Sequence, residues 1–146
     1  SNGEGWGIAA HYSFLSYAAV ATRVKVIGKS LKIEEVHIAI DCGQVVNPDR
    51  VKAQMEGSVV FGLTLALFGK IEIKGGEVQQ SNFHDYPLLR FHQCPDIKVH
   101  IIDSDMAPTG VGEPGVPPVA PSLINAIFAA SGQRIRDLPV SDYFST

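Results

Sequence analysis

Cysteine is almost absent from this chain: Cys42 and Cys94 are the only two among 146 residues. Two thiols build no disulfide scaffold, and they fall short of the four ligands that an iron–sulfur cluster takes. Cys94 lies near His92 and His100, which hints weakly at a metal; two free thiols in or near a core explain the residues more simply. A basic surplus is also missing. The net charge is −3, so no positive surface invites nucleic acid. No apolar run is read as long enough to span a bilayer, because Gly62 and Thr64 interrupt the most apolar stretch, residues 59–68. A secretory signal and an initiating Met are both lacking. Ser1-Asn2 reads as a cleavage scar and residues 1–4 as a flexible entry, so the expectation is an excised piece of something longer. What remains is enough apolar residues and enough length for one domain, residues 1–146, with a real core.

The stretch that carries chemistry is Gly110-Val111-Gly112-Glu113-Pro114-Gly115-Val116-Pro117-Pro118. Glu113 is its one ionisable group. Glycine permits positive φ or a close approach, and proline fixes φ and removes donors. The loop should therefore be stiff without regular pairing. A helix-like apolar run follows at residues 122–130, which places Glu113 just before a helix N-terminus, where the dipole favours a carboxylate. A lone carboxylate on a rigid loop is one way to build a positioned general base. A Gly/Pro turn whose glutamate faces water explains the same residues, and turn chemistry accounts for most such loops.

Along the chain, residues 5–27 read as strand, with alternation clearest from Val20 onward. Gly3, Gly5 and Gly7 form a mobile entry or a close-contact loop, without the following helix that a dinucleotide fingerprint needs. Residues 31–40 alternate again, giving an antiparallel meander with one buried face. Asn47-Pro48-Asp49 is a helix start, with Asn as cap and Pro at the first position. The helix should run to Phe68 and stop at Gly69, with Val51, Met55, Val59, Leu63 and Leu67 on one stripe. Gly57, Ser58 and Gly62 would let another backbone come near, and Gln54 and Glu56 flank the stripe. Gly75-Gly76 is a hairpin turn, and residues 81–87 are loop, with His84 and Asp85 structural. Residues 97–102 are strand. A second helix begins between Pro118 and Pro121, packs through Leu123, Ile124, Ile127 and Phe128, and ends at Gly132. Residues 138–140 are an extended tail. The fold class is α+β, a mostly antiparallel sheet with two principal helices packed on it.

Four stretches in this order resemble the C-terminal part of the molybdenum-hydroxylase large subunit, the xanthine dehydrogenase and aldehyde oxidase family. They are Gly7-Ile8-Ala9-Ala10-His11; Asp41-Cys42-Gly43-Gln44-Val45-Val46-Asn47-Pro48; Ala53-Gln54-Met55-Glu56-Gly57 with Phe61-Gly62-Leu63; and Gly112-Glu113-Pro114. The segment Gln80-Ser81-Asn82-Phe83-His84-Asp85-Tyr86-Pro87 is similar to the isoquinoline 1-oxidoreductase beta-subunit branch. The resemblance covers about residues 5–140 and implies the following roles. Glu113 matches the glutamate that acts as general base when an aldehyde or N-heteroaromatic substrate is oxidised with water as oxygen source. Gln54 matches a glutamine that contacts molybdopterin, and Gly112 belongs to the same cofactor-binding set. The implied partners are upstream domains of the same subunit and an iron–sulfur subunit. The chain alone is expected to be folded, cofactor-free and inactive, and to self-associate through an apolar patch. The competing expectation is a non-catalytic structural or dimerisation module; a hydrolase lacks a visible nucleophile or metal cluster.

Overall fold

Three long strands fill the first part of the chain: in the first, aromatic and apolar residues alternate with glycine and other small ones, and in the next two β-branched residues alternate with small and charged ones. In this computed structural model, which describes residues 3–146, β1 (Glu4–Ser13), β2 (Ser16–Ile27) and β3 (Ser30–Asp41) pair as an antiparallel meander. The scar reading of Ser1-Asn2 lies outside the described residues. On β2, Val20, Thr22, Val24 and Val26 are buried on one face, and on β3 Val36, Ile38 and Ile40 share it. The register shifts at Arg23/Val24. This extra residue on β3 lets consecutive Glu34 and Glu35 both lie 3.1 Å from Arg23.

Residues 5–27 are thus two strands rather than one. Phe14 and Leu15 turn the chain between them, at φ of 52° and 62°. Neither is a turn former, and Asn-Gly is the usual pair for such a turn; the sequence therefore reads straight through it. Gly5 and Gly7 lie in β1, not in a loop. They do serve close contact: a Cβ on Gly7 would stand 2.1 Å from the Ser122 carbonyl oxygen.

α1 (Pro48–Phe68) starts and stops as its residues dictate. The Asn47 Oδ1 accepts from the Arg50 amide at 3.1 Å, and Gly69 ends the helix. Val51, Met55, Val59, Leu63 and Leu67 are buried in the core. With 21 residues and a mean hydropathy of 1.2, α1 does meet the length and composition of a membrane-crossing helix, against the expectation that no run would. In this fold its apolar stripe covers β3 and β6. Gly75 and Gly76, at φ of 60° and 84°, turn a small hairpin of β4 (Ile73–Lys74) and β5 (Glu77–Val78).

β6 (Asp96–Ile101) joins the sheet parallel to β3, giving the order β1-β2-β3-β6. Lys98 and His100 point away from the core. Lys98 donates to Glu35 at 3.0 Å, which holds the Glu35 carboxyl below its ordinary range. His37 Nδ1 and His100 Nε2 lie 3.0 Å apart with the ring planes within 4°, so the two strands share an imidazole–imidazole hydrogen bond.

α2 (Val119–Ser131) packs through Leu123, Ala126, Ile127 and Ala130 over β1 and β2, and Gly132 ends it at φ 75°. Phe128 does not pack inward as its spacing suggested. It falls outside the buried stripe, and the Arg134 guanidinium covers its ring at 3.5 Å. Of the expected extended tail, Pro139 is extended at φ −82° and ψ 157°, but Val140, fully buried in the core, begins a 3-10 turn, Val140–Asp142. Both helices lie on one face of the sheet, and the architecture is α+β.

Candidate functional site

Strand β6 ends at Ile101 and helix α2 begins at Val119. The seventeen residues between them, 102–118, have no partner strand, so each polar backbone group needs another tie. Four backbone ties run to β3, to the segment just after it and to the β1–β2 turn. The Ile102 amide donates to Ile40 O and the Thr109 amide to Cys42 O, both at 2.9 Å. Met106 O accepts from the Gln44 amide at 2.9 Å, and the Gly110 amide donates to Phe14 O at 3.1 Å. Gly43, at φ 71°, allows Ala107 to come close; a Cβ there would meet the Ala107 oxygen at 2.1 Å.

Held this way, the loop delivers Gly112 and Glu113 to α1. Gln54, Gly57, Ser58 and Phe61 recur at the spacing that puts residues on one helix face. With Gly112, Glu113 and Val116 they line an open groove of about 250 Å³. Gln54 Nε2 donates to Gly112 O at a long 3.4 Å. The Val116 amide donates to Glu113 O at 3.1 Å, closing a turn that starts at Glu113. Gly115 packs on Ser58, where a Cβ would come within 2.8 Å of the hydroxyl. Space beside Gly57 and Gly112 is open: apart from the adjoining residues and the helix's own backbone, nothing lies within 4 Å of where a Cβ would stand on either.

The three residues singled out in the sequence, Gln54, Gly112 and Glu113, therefore meet in one groove. Glu113 is exposed there. It precedes the α2 cap position, Pro118, by five residues, so a proline-rich turn holds it rather than the helix end, whose dipole fades within a turn. Gly57 and Ser58 line the groove, while Gly62 serves the core: a Cβ there would meet Val119 at 2.6 Å.

Other cues in the sequence lead elsewhere. Asp85 accepts from the Ser81 and Asn82 amides and the Ser81 hydroxyl at 2.9–3.0 Å, which lowers its pKa to about 2. It is a loop tie, and its neighbour His84 lies at the edge of it, 3.5 Å away. Cys42 is buried and Cys94 partly so, both are free, and burial pushes both thiols up. Among the described residues no three His, Cys, Asp or Glu side chains group to hold a metal. Larger clefts exist, one of about 350 Å³ beside Tyr12, Tyr17 and Ile102 and one of about 430 Å³ beside Cys94. Volume does not single out the Glu113 groove; what marks it as a candidate is that Gln54 and Glu113 line it together beside open glycine backbone. Sequence reasoning missed Ser16 and Thr109. The Ser16 hydroxyl lies 2.7 Å from the Thr109 hydroxyl and donates to Gly110 O at 2.6 Å. No local pattern marks a contact between residues so far apart in the chain.

The molybdopterin cofactor-binding domain family matches residues 4–95. The beta subunit of isoquinoline 1-oxidoreductase from Brevundimonas diminuta is 43% identical over 111 residues, 76% of this chain and 14% of that protein. A membrane-bound aldehyde dehydrogenase from Gluconacetobacter polyoxogenes is 40% identical over 107 residues, 73% of this chain and 14% of that protein. That second relative is named for pyrroloquinoline quinone, at odds with the family match. The solved aldehyde oxidoreductase from Desulfovibrio gigas superposes with a TM-score of 0.73 at 21% identity, covering 88% of this chain and 15% of that one. The chain thus spans about one seventh of these proteins.

Proposed function

The chain belongs to the molybdopterin cofactor-binding domain family, of the xanthine dehydrogenase and aldehyde oxidase type, and from that premise we propose that it supplies the general base of a molybdenum hydroxylase, Glu113. The observation that carries this is the meeting of Glu113, Gly112 and Gln54 in one groove. These residues also fit the cofactor. Molybdopterin brings its own sulfur ligands to the metal, so it asks this chain for hydrogen-bond partners and space, not for thiolates. The Gln54 amide, the exposed Gly112 backbone and the gaps beside Gly57 and Gly112 provide both, and neither cysteine lines the groove.

Gln54 and Gly112 would hold one edge of the group. When bound, the group supplies the two-electron redox chemistry. Glu113 would remove the proton from the water-derived nucleophile whose oxygen attacks the electron-poor carbon of an aldehyde or N-heteroaromatic substrate, while the C–H bond of that carbon breaks and its electron pair goes to the bound group as two-electron acceptor. Phe61, exposed on the same helix face, offers an apolar wall to such a substrate. On this reading the partners are the remaining domains of the same subunit and an iron–sulfur subunit. The chain by itself neither completes the cofactor site nor turns over.

The test is Glu113→Gln in the intact subunit. It keeps shape and hydrogen bonding but removes the basic oxygen. We expect unchanged molybdenum content, kcat lower by at least ~10²-fold, and loss of the acidic limb of the kcat/KM profile. Near wild-type turnover with full cofactor would assign the base to another group and leave this chain a structural module.

A further inference from the structure

We propose that Ser16 is a positioning residue for Glu113: its buried hydroxyl fastens the loop that carries the base to the tip of the β1–β2 hairpin. The inference rests on the reading of Glu113 as the base.

Ser16 is fully buried. Its one proton goes to Gly110 O at 2.6 Å, so the Thr109 hydroxyl, 2.7 Å away, must be the donor to Ser16. The direction of both bonds is fixed. The Gly110 amide donates to Phe14 O at 3.1 Å. Gly110 is therefore held through its N–H and its C=O by the same hairpin tip. A Cβ on Gly110 would stand 2.7 Å from the Phe14 Cβ, so the contact is close as well as bonded. On its other side the loop is tied by the Thr109 amide to Cys42 O. It passes between the hairpin tip and the exit of β3 like a strap between two posts.

The turn that makes this possible is sterically unfavourable. Phe14 and Leu15 both sit at positive φ, where bulky residues rarely go. Glycine or asparagine would close the hairpin with less strain, so the hairpin alone does not account for the pair. With the turn at these angles, the Phe14 carbonyl accepts from the Gly110 amide. Three residues later comes Glu113, with Gly112 held by Gln54 and Glu113 O held by Val116. The backbone that carries Glu113 is thus anchored on both sides, and the Ser16 anchor is the buried one.

The experiment uses the intact, molybdenum-loaded enzyme with Ser16→Ala, Thr109→Val, Thr109→Ser, Glu113→Gln and the Ser16→Ala/Glu113→Gln double variant. Displacing a reacting group slightly costs about 10- to 100-fold in rate, and that fall in kcat is expected for Ser16→Ala, with KM and molybdenum content unchanged. Hydrogen exchange in residues 106–113 should quicken. Thr109→Val should act in the same direction, and Thr109→Ser, which keeps the hydroxyl, should restore the rate. The double variant should be no slower than Glu113→Gln alone, since a misplaced base and an absent one fail alike. A full rate in Ser16→Ala beside a disabled Glu113→Gln overturns the positioning role only. So does a double variant in which the two losses multiply. A full rate in Glu113→Gln overturns the base itself. If Ser16→Ala does not fold, the Thr109 pair decides by the same readings.

Discussion

Gln54 and Glu113 became visible in different ways. Glu113 is the one ionisable group in a run of Gly, Pro and Val, so it stands out as a candidate without a structure, although a water-facing turn explains the same residues and only the resemblance gives it a role. Gln54 is a polar residue beside an apolar stripe, which ordinarily means no more than a helix surface. Only the resemblance distinguished it, and its long hydrogen bond to Gly112 is the geometric counterpart. Because Gln54 is exposed, removing its amide should leave the fold nearly untouched, within about 0.5 kcal/mol. We expect Gln54→Ala in the intact subunit to lower molybdenum occupancy or shift the cofactor's absorption spectrum at an unchanged melting temperature. Unaltered occupancy and spectrum would take Gln54 out of the site. Ser16 and Thr109 were illegible because their bond spans 93 positions of sequence, and hydroxyls in a strand and a loop carry no period.

Among the elements, α1 was the most readable. Its cap, its first-turn proline and its one-per-turn stripe agree with one another, and such agreement is what specifies a structure. The β1–β2 hairpin was hidden for the opposite reason: its turn residues obey strand propensity and violate turn propensity. Glycines in these elements divide into two kinds. Gly7 and Gly62 exist for packing, since a Cβ on either would strike α2. Gly57 faces open space in the groove. The two should separate on substitution. Gly7→Ala should sharply lower folded yield. Gly57→Ala should stabilise the helix by up to about 1 kcal/mol, yet reduce cofactor retention by placing a methyl group in the groove. Melting curves and metal analysis of the intact subunit check both, and equal retention in Gly57→Ala would show that the cofactor does not approach this face.

For the whole molecule, both helices lie on one side of the sheet. The other side exposes Trp6, Ile8, Tyr12, Tyr17 and Ile102 around a floor of alanines. A chain about one seventh the length of its relatives and bearing such a face should self-associate when made alone. Sedimentation velocity should show mass rising with concentration, and Ile8→Glu should reverse it; a monomer at every concentration would count against the idea. The Ser16–Gly110 bond has a further consequence, for the time at which the site comes into being. Its halves lie 94 residues apart, and at a synthesis rate of roughly 5–20 residues per second the hairpin waits several seconds for its loop. During translation, therefore, the strands can pair long before the loop of Glu113 has a fixed address. The groove at Glu113 is thus closed after the hairpin has formed, not together with it.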